Sequence, residues 1–278
     1  REFDIDLLIT YLSGGGAGNL PVKLRSQMLP KYVRFDSYEG FIFSNGEVKE
    51  GIVKRGDYEE TEDRTRARPK IQTSELILDK SGSSRKKIKE LPTIASPQDI
   101  LTELEFKDPN GEIQTVSQRV PIWPSELLIG IKPDSWAASK ESFKFHVVTL
   151  DLTGRHVPEK EIKVELFQRR YYSHRKRLVG GFYSYEHVTE VKRTGRLCEG
   201  KTDQKGLLIC EVVSPVSGNV ILQAQTSDDA GNVLIANRDV WVAGKGEWWF
   251  DVSDSDRIDL LPERKRYEPG EIAKFQVR

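Results

Sequence analysis

Cysteine and histidine are scarce in this sequence, with two and four residues among 278. So few ligand residues, widely scattered, supply no quartet for a structural metal, and we expect neither a metal site nor a cofactor. No apolar run approaches the roughly 18 residues that span a bilayer, and no stretch carries a convincing apolar stripe at helical spacing. A glycine-rich phosphate loop, a paired-carboxylate site and a Ser-His-Asp arrangement are also missing. The sequence therefore predicts a non-enzymatic, all-β protein.

An excess of one charge is missing too, because 43 Lys and Arg balance 43 Asp and Glu. This balance argues against nucleic acid as a partner. The richest basic cluster, Arg169–Arg177, interleaves cations with Tyr171 and Tyr172, a pattern that could hold nucleic acid by phosphate contacts and stacking. We interpret it as a solvated hairpin, with contact to an acidic neighbouring domain as the alternative.

The sequence is rich in turn signals, four of which follow the pattern Asp-x-x-Gly. Asp at the first position bonds back to the backbone and Gly at the fourth accepts the exit geometry, which is typical of a type I β-turn. The first and third turns are 124 residues apart and the second and fourth 120 apart, which indicates tandem copies of one domain. We predict structural roles for these residues, with calcium binding by clustered carboxylates, such as Asp228-Asp229 and Asp254 with Asp256, as the alternative. The four turns are Asp79–Gly82, Asp108–Gly111, Asp203–Gly206 and Asp228–Gly231.

Short segments of alternating polarity lie between these turns, as at Ile162–Phe167. This pattern predicts tandem antiparallel β-sandwiches of the immunoglobulin or fibronectin-III type. Asn45-Gly46 predicts a two-residue hairpin. We place one sandwich lacking its first strand at residues 1–122, a complete one at 123–246, and the first strands of a third at 247–278. Both ends fall inside a copy, so we expect a piece of a longer protein.

Cys198 and Cys210 flank the third turn at equal distances from Gln204. In an antiparallel hairpin they would face each other at the separation a disulfide needs. Closing this short loop adds about 3 kcal/mol in the chain-entropy model and implies an oxidising compartment. The alternative is a pair of reduced thiols on a half-buried strand.

Two further segments have structural and functional interpretations. Arg55–Pro69 is polar and of mixed charge, which indicates a connecting loop, with protease sensitivity as the alternative; its Arg-Gly-Asp triplet is too short to indicate integrin binding. Trp248-Trp249-Phe250 is expected to pack in a core or a domain interface, with carbohydrate stacking as the alternative.

The run Tyr267–Glu271, followed by a strand, resembles the turn that opens a macroglobulin-like domain, with Pro269 and Gly270 in the turn. Thr202–Gly206 is similar to a later hairpin of the same domain. The whole chain resembles the middle of the bacterial α2-macroglobulins, large periplasmic lipoproteins. The resemblance implies broad-spectrum endopeptidase inhibition, in which the protein traps proteases after bait cleavage and thioester coupling. It further implies a monomer held at the inner membrane by a lipidated N-terminus, whose partners are target proteases and the other domains of the same chain.

The thioester motif of that family, Cys-x-x-Gln, is not present, because Cys198–Lys201 and Cys210–Val213 do not match it. No segment is clearly a bait region either. We therefore expect these residues to be scaffold. The alternatives are immunoglobulin-like stalk repeats of a bacterial adhesin and accessory β-domains of a carbohydrate-active enzyme.

Overall fold

The computed structural model describes residues 2–56, 71–89, 91–135, 137–177, 183–243, 260–262, 268–273 and 275–277. Within these ranges the chain is built from β-strands, joined by turns and one short 3-10 turn at Asp36–Tyr38, and it contains no α-helix. No helix of these ranges is long and apolar enough to cross a membrane. The all-β class predicted from the sequence is confirmed.

The strands in chain order are β1 (Phe3–Leu8), β2 (Pro21–Pro30), β3 (Ile42–Phe43), β4 (Gly51–Gly56), β5 (Gln72–Ile77), β6 (Ser83–Ile88), β7 (Gln98–Lys107), β8 (Ile113–Ile122), β9 (Leu127–Pro133), β10 (Ala137–Ser139), β11 (Phe143–Asp151), β12 (Glu161–Arg177), β13 (Tyr183–Lys201), β14 (Leu207–Val212), β15 (Gly218–Ser227), β16 (Val233–Ala243), β17 (Leu260–Pro262) and β18 (Phe275–Val277).

The first sandwich packs the sheet β5-β2-β7-β8 against the two-stranded sheet β1-β6. Apolar residues at alternate positions of β2 face inward because successive side chains of a strand point to opposite faces. Val22 and Leu24 are therefore buried together with Leu7, Leu78 and Ile88. This core is small, and most of β8 is exposed.

The second sandwich is larger and better packed. Its sheets are β10-β16-β15-β12-β13-β4 and β14-β11-β9-β3. The alternation of Ile162–Phe167 points Ile162, Val164 and Leu166 into the core, where they meet Phe143 and Phe145. These five side chains are at most 1% exposed.

The two sandwiches repeat one pattern of strand pairing. In the first, β1 pairs with β6 so that Phe3 lies opposite Ile88, and in the second β11 pairs with β14 so that Phe143 lies opposite Val212. The short pair β17-β18 places Pro262 opposite Phe275, as β9 and β11 place Pro133 opposite Phe145. The pairing of β17 with β18 therefore resembles that of β9 with β11.

One segment of the first repeat belongs structurally to the second sandwich. Residues 31–56, which we call the strap, leave the end of β2 and supply β3 to one sheet of the second sandwich and β4 to the other. Two edge strands of the second sandwich therefore come from before residue 122, where the sequence predicts the boundary between copies; the boundary itself stays a prediction. The chain re-enters the first sandwich at β5.

The hairpin predicted at Asn45-Gly46 is wrong. β3 pairs with β9 and β4 pairs with β13, so the segments flanking the dipeptide join different sheets instead of each other. The positive φ of Gly46, +100°, serves a change of direction in the strap. Local turn chemistry was correctly recognised, but long-range pairing decides where the chain goes next.

Candidate functional site

All four predicted Asp-x-x-Gly tetrapeptides form turns of one geometry. The glycine amide donates to the aspartate carbonyl oxygen at 2.9–3.0 Å, and the aspartate Oδ1 accepts from the amides two and four residues further on at 2.7–3.0 Å. The glycines have φ between +65° and +87°, where a side chain would be strained. Each is a type I turn followed by a left-handed glycine. These turns lie at Asp79–Gly82, Asp108–Gly111, Asp203–Gly206 and Asp228–Gly231.

A fifth turn of this geometry, Asp151–Gly154, was missed by the sequence reasoning although it has the same pattern. Gly154 donates to the Asp151 carbonyl oxygen at 3.1 Å, and Asp151 Oδ1 accepts from the amides of Thr153 and Arg155. A hydrogen bond from the Thr153 hydroxyl is the main cause that lowers the pKa of Asp151. The Ser81 hydroxyl lowers the pKa of Asp79 in the same way.

Asp228 has a second role, because it ties the last turn to the linker between the sandwiches. Its Oδ2 accepts from Asn232 Nδ2 and from Ser125 Oγ, each at 2.7 Å. Ser125 is 7% exposed and its Oγ also accepts from the Leu127 amide at 3.0 Å. The hydrogen bonds from Asn232 and then Ser125 lower the pKa of Asp228 to about 2. A charged Asp228 therefore fixes the start of β9.

The predicted turn at Pro269-Gly270 is also formed. The Glu271 amide donates to the Glu268 carbonyl oxygen at 3.1 Å, and Gly270 has φ +94°. Proline second and a left-handed glycine third define a type II turn. Calcium binding at the aspartates gains no support, because the described part of the chain holds no cluster of His, Cys, Asp or Glu suited to a metal.

A disulfide joins Cys198 of β13 to Cys210 of β14, with Cα atoms 6.4 Å apart. The hairpin geometry predicted for this pair is wrong. Cys198 lies opposite Val164 and Cys210 opposite Phe145, and the two strands belong to different sheets. The Asp203–Gly206 turn carries the chain from one sheet to the other, so equal spacing brings the cysteines together without pairing their strands. The bond links the sheets through the core.

The strap attaches to the end of the second sandwich through aromatic side chains. Phe43 is 3% exposed and packs in a cluster with Leu128, Val148 and Leu150. The ring of Phe35 lies 5.3 Å from that of Phe43 in an edge-to-face arrangement, which is the geometry that aromatic pairs prefer. Aromatic residues at positions 35, 38, 41 and 43 were the available sequence signal for this contact.

Two glycines of the second sandwich make room for these rings. A Cβ at Gly130 would come within 2.5 Å of the Phe43 ring, and a Cβ at Gly154 within 2.9 Å of the Phe35 ring. Real Cβ contacts are not this short, so a side chain at either position would force the facing ring to shift. The contact therefore depends on the aromatic residues of the strap and on the glycines of the second sandwich that face them.

Beyond β3 the strap turns sharply. Ser44 is 1% exposed and has φ +41°, an uncommon value for a residue with a side chain. Ser44 extends the hydrogen-bonded pairing of β3 with β9 by one residue. Its amide donates to the Ile129 carbonyl oxygen at 2.9 Å, and its Oγ accepts from the Ile129 amide at 3.2 Å.

Residues 45–50 then cross the outer face of the six-stranded sheet. Asn45 Oδ1 accepts from the Asn237 amide at 2.7 Å, and Asn237 Nδ2 donates to the Gly46 carbonyl oxygen at 2.7 Å. The Val48 amide donates to Oε1 of Gln223, which is only 7% exposed. A buried amide without a partner is costly, and in the complete chain the strap that lies over Gln223 also supplies its hydrogen-bond partner.

The basic cluster Arg169–Arg177 lies on β12, in the long hairpin that β12 forms with β13. Arg169 pairs with Asp239 at 2.8 Å, while Tyr171 and Tyr172 are 40% and 38% exposed. The strap ends beside this hairpin at β4. Residues 57–69 of the predicted loop, Trp248-Trp249-Phe250, and Asp254 with Asp256 lie outside the described residues.

Comparison with known proteins agrees with this architecture. No protein-family model matches the chain. The alpha-2-macroglobulin homolog of Nostoc sp. is 25% identical over 200 residues, which cover 72% of this chain and 10% of the homolog. The native conformation of Escherichia coli alpha-2-macroglobulin matches the whole chain with a TM-score of 0.63 at 16% identity. Salmonella alpha-2-macroglobulin reacted with methylamine gives 0.61 at 18%, and trypsin-activated E. coli alpha-2-macroglobulin gives 0.59 at 17%.

The fold and these matches define a class, that of tandem macroglobulin-like β-sandwich domains. Sequence and structure together support a section of a bacterial alpha-2-macroglobulin, as the sequence motifs predicted. The chain spans about a tenth of the length of the curated relative it matches. It spans 17% of the native E. coli chain and 17% of the methylamine-reacted Salmonella chain.

Proposed function

We propose that this chain is a scaffold section of a protease-trapping inhibitor, in which the two sandwiches and the strap move as one body. The strap carries this proposal. It leaves the first sandwich, adds an edge strand to each sheet of the second, and buries Phe43 and Ser44 against it. Edge-strand pairing and aromatic packing oppose independent rotation of the sandwiches. The chain performs no catalysis in this proposal.

The inhibitory chemistry of the longer protein lies elsewhere. Both cysteines are joined in the disulfide, and neither is followed by glutamine at the third position after it, so the thioester comes from other domains. We further propose that the longer protein is a periplasmic monomer, anchored to the inner membrane by a lipidated N-terminus. The disulfide between the sheets supports an oxidising compartment.

Incubation of the full-length protein with trypsin tests the proposal that it is a protease-trapping inhibitor. We expect trypsin to lose activity on protein substrates while keeping it on small peptide substrates, and a fraction to remain covalently attached after denaturation. Pretreatment with methylamine, which consumes a thioester, is the control and abolishes the adduct. Full protease activity and no adduct would contradict the inhibitor reading and favour the adhesin alternative.

The scaffold role has its own test in the same protein. Phe43→Ala weakens the strap contact while leaving bait and thioester chemistry outside these residues unchanged. We expect the variant to be cleaved by trypsin like the unmodified protein but to retain less trypsin as adduct. Equal trapping by both proteins would show that the strap contact does not support the closing motion.

Localisation is checked separately by fractionation and by detection of a lipid-modified N-terminal peptide.

A further inference from the structure

We propose that Asn45 is a site of spontaneous deamidation that the docked strap suppresses and a released strap exposes. Asn45 is followed by Gly46, and its side chain is exposed at the surface of the second sandwich. Glycine has no side chain to hinder attack of its own amide on the preceding residue. The dipeptide that misled the hairpin prediction is thus a reactive pair placed on the strap.

The reaction needs no catalyst or cofactor. The Gly46 amide nitrogen loses its proton and bonds to Asn45 Cγ, and the C–N bond to Nδ2 breaks so that ammonia leaves. The resulting succinimide ring is opened by one water molecule. The product is aspartate or isoaspartate at position 45, with one ammonia released for each water consumed.

The docked geometry holds both reacting groups. The Gly46 amide donates to the Ile235 carbonyl oxygen at 3.2 Å. Asn45 Nδ2 donates to the carbonyl oxygen and to Oδ1 of Asn237 at 3.1 and 3.2 Å, and Asn45 Oδ1 accepts from the Asn237 amide at 2.7 Å. Ring closure requires the Gly46 amide to leave Ile235 and the Asn45 amide to rotate away from Asn237. Deamidation therefore proceeds from the opened strap, whose population is set by a local opening equilibrium.

The product is less able to dock again. A carboxylate accepts hydrogen bonds but donates none, so both bonds from Nδ2 are lost. The new negative charge then faces the carbonyl and side-chain oxygens of Asn237 at the positions where a donor stood. Isoaspartate also lengthens the backbone between Ser44 and Gly46. Deamidation would thus convert a reversible release of the strap into a lasting one.

A second Asn-Gly pair in the chain provides an internal control. Asn110-Gly111 lies in the turn Asp108–Gly111, where the Gly111 amide also donates a hydrogen bond, to the Asp108 carbonyl oxygen at 3.0 Å. The two pairs therefore differ in that the backbone bonds of Asn110-Gly111 stay within one turn, whereas those of Asn45-Gly46 reach a distant strand. The intact chain is incubated at mildly alkaline pH, and deamidation is followed by peptide mass spectrometry at both sites. We expect Asn45 to react at least about tenfold more slowly than Asn110, because Asn45 reacts only after the strap has opened. Each factor of ten in rate corresponds to about 1.4 kcal/mol of opening free energy. Equal rates at the two sites in the intact chain would overturn the proposal.

Two variants each remove a different contact that holds the strap on the second sandwich. Asn237→Ala removes one acceptor of Asn45 Nδ2 and the donor to the Gly46 carbonyl oxygen, while it keeps the backbone bonds between residue 237 and Asn45. Phe43→Ala removes the aromatic anchor on the other side of Ser44. In each, circular dichroism and the intact disulfide check that the sandwiches are folded. We expect deamidation at Asn45 to rise towards the rate at Asn110, whose own rate stays unchanged. Continued protection of Asn45 in both variants would refute the mechanism.

The effect on docking is measured with the product itself. Asn45→Asp is compared with Asn110→Asp, which adds the same charge in the turn far from the strap in sequence. Hydrogen exchange of the Ser44 amide, bonded to Ile129 in the docked strap, reports the docking. We expect faster exchange in Asn45→Asp alone. Unchanged exchange would show that the modified strap docks as well as the original.

Discussion

Replacement of Gly130 by alanine tests the strap contact most directly. Gly130 lies in β9 opposite Phe43 of β3, and a Cβ there would meet the Phe43 Cε1, Cδ1 and Cζ atoms at 2.5, 2.8 and 3.0 Å. Gly130 is not among the residues with positive φ, so backbone strain does not enter. The steric contact with one ring decides the outcome.

The sign of the change in unfolding free energy shows whether the space beside Gly130 is open or filled by the Phe43 ring. At a position open to a methyl group, Gly→Ala stabilises a protein by about 0.4–1 kcal/mol because the unfolded chain loses freedom. Overpacking of a filled site costs about 1–3 kcal/mol, so we expect Gly130→Ala to be destabilising. Phe43→Ala removes a ring that is 3% exposed, and such losses cost about 3–5 kcal/mol.

The double variant completes a thermodynamic cycle. Once the ring is absent, the methyl group at position 130 occupies space that Phe43 has left. We therefore expect the double variant to lose less stability than the sum of the single variants, by about 0.5–3 kcal/mol. Free energies come from urea unfolding followed by tryptophan fluorescence, since Trp123 packs against the same cluster. Additive losses, or a stabilising Gly130→Ala, would refute the placement of the Phe43 ring against β9.

Three further predictions concern the second sandwich and the turns. Replacement of Cys198 and Cys210 by serine should lower the free energy of unfolding by about 3 kcal/mol in the chain-entropy model; mass spectrometry of unreduced peptides establishes the bond, and an unchanged urea midpoint would contradict its role. The pKa of Asp228 is lowered in the folded chain from 3.8 to about 2, so its contribution is complete above about pH 4 and is lost as the pH falls towards about 2. Asp228→Asn should reduce this loss in acid unfolding measurements, and an identical pH dependence of the two proteins would be evidence against it. Gly206→Ala should cost more stability than Gly111→Ala, because both have positive φ but only at Gly206 would a Cβ meet a backbone oxygen, at 2.7 Å; equal costs would argue against that contact.

Local patterns predicted much of this structure because they encode local geometry. Alternation at Ile162–Phe167 indicated which side chains enter the core, and the Asp-x-x-Gly pattern indicated turns whose hydrogen bonds close within five residues. The same reasoning would have found Asp151–Gly154, had the pattern been applied to every aspartate. Such features need no knowledge of distant residues.

Features that depend on distant partners were not predictable in this way. The spacing of Cys198 and Cys210 indicated proximity, but it could not distinguish two strands of one sheet from two strands of facing sheets. Asn45-Gly46 has the composition of a hairpin turn, yet its hydrogen bonds go to Asn237, 192 residues away. The strap was missed because its edge strands are completed by residues of the other repeat.

The strap also limits how far the repeats are independent modules. A protein piece that began at residue 123 would retain the linker and every strand from β9 to β16, but it would lack β3 and β4 and expose the edges of β9 and β13 that they cover. Exposed sheet edges invite pairing with other chains. Gene rearrangements that separate the repeats at residue 122 would therefore yield aggregation-prone products, so this pair of repeats is expected to be inherited together.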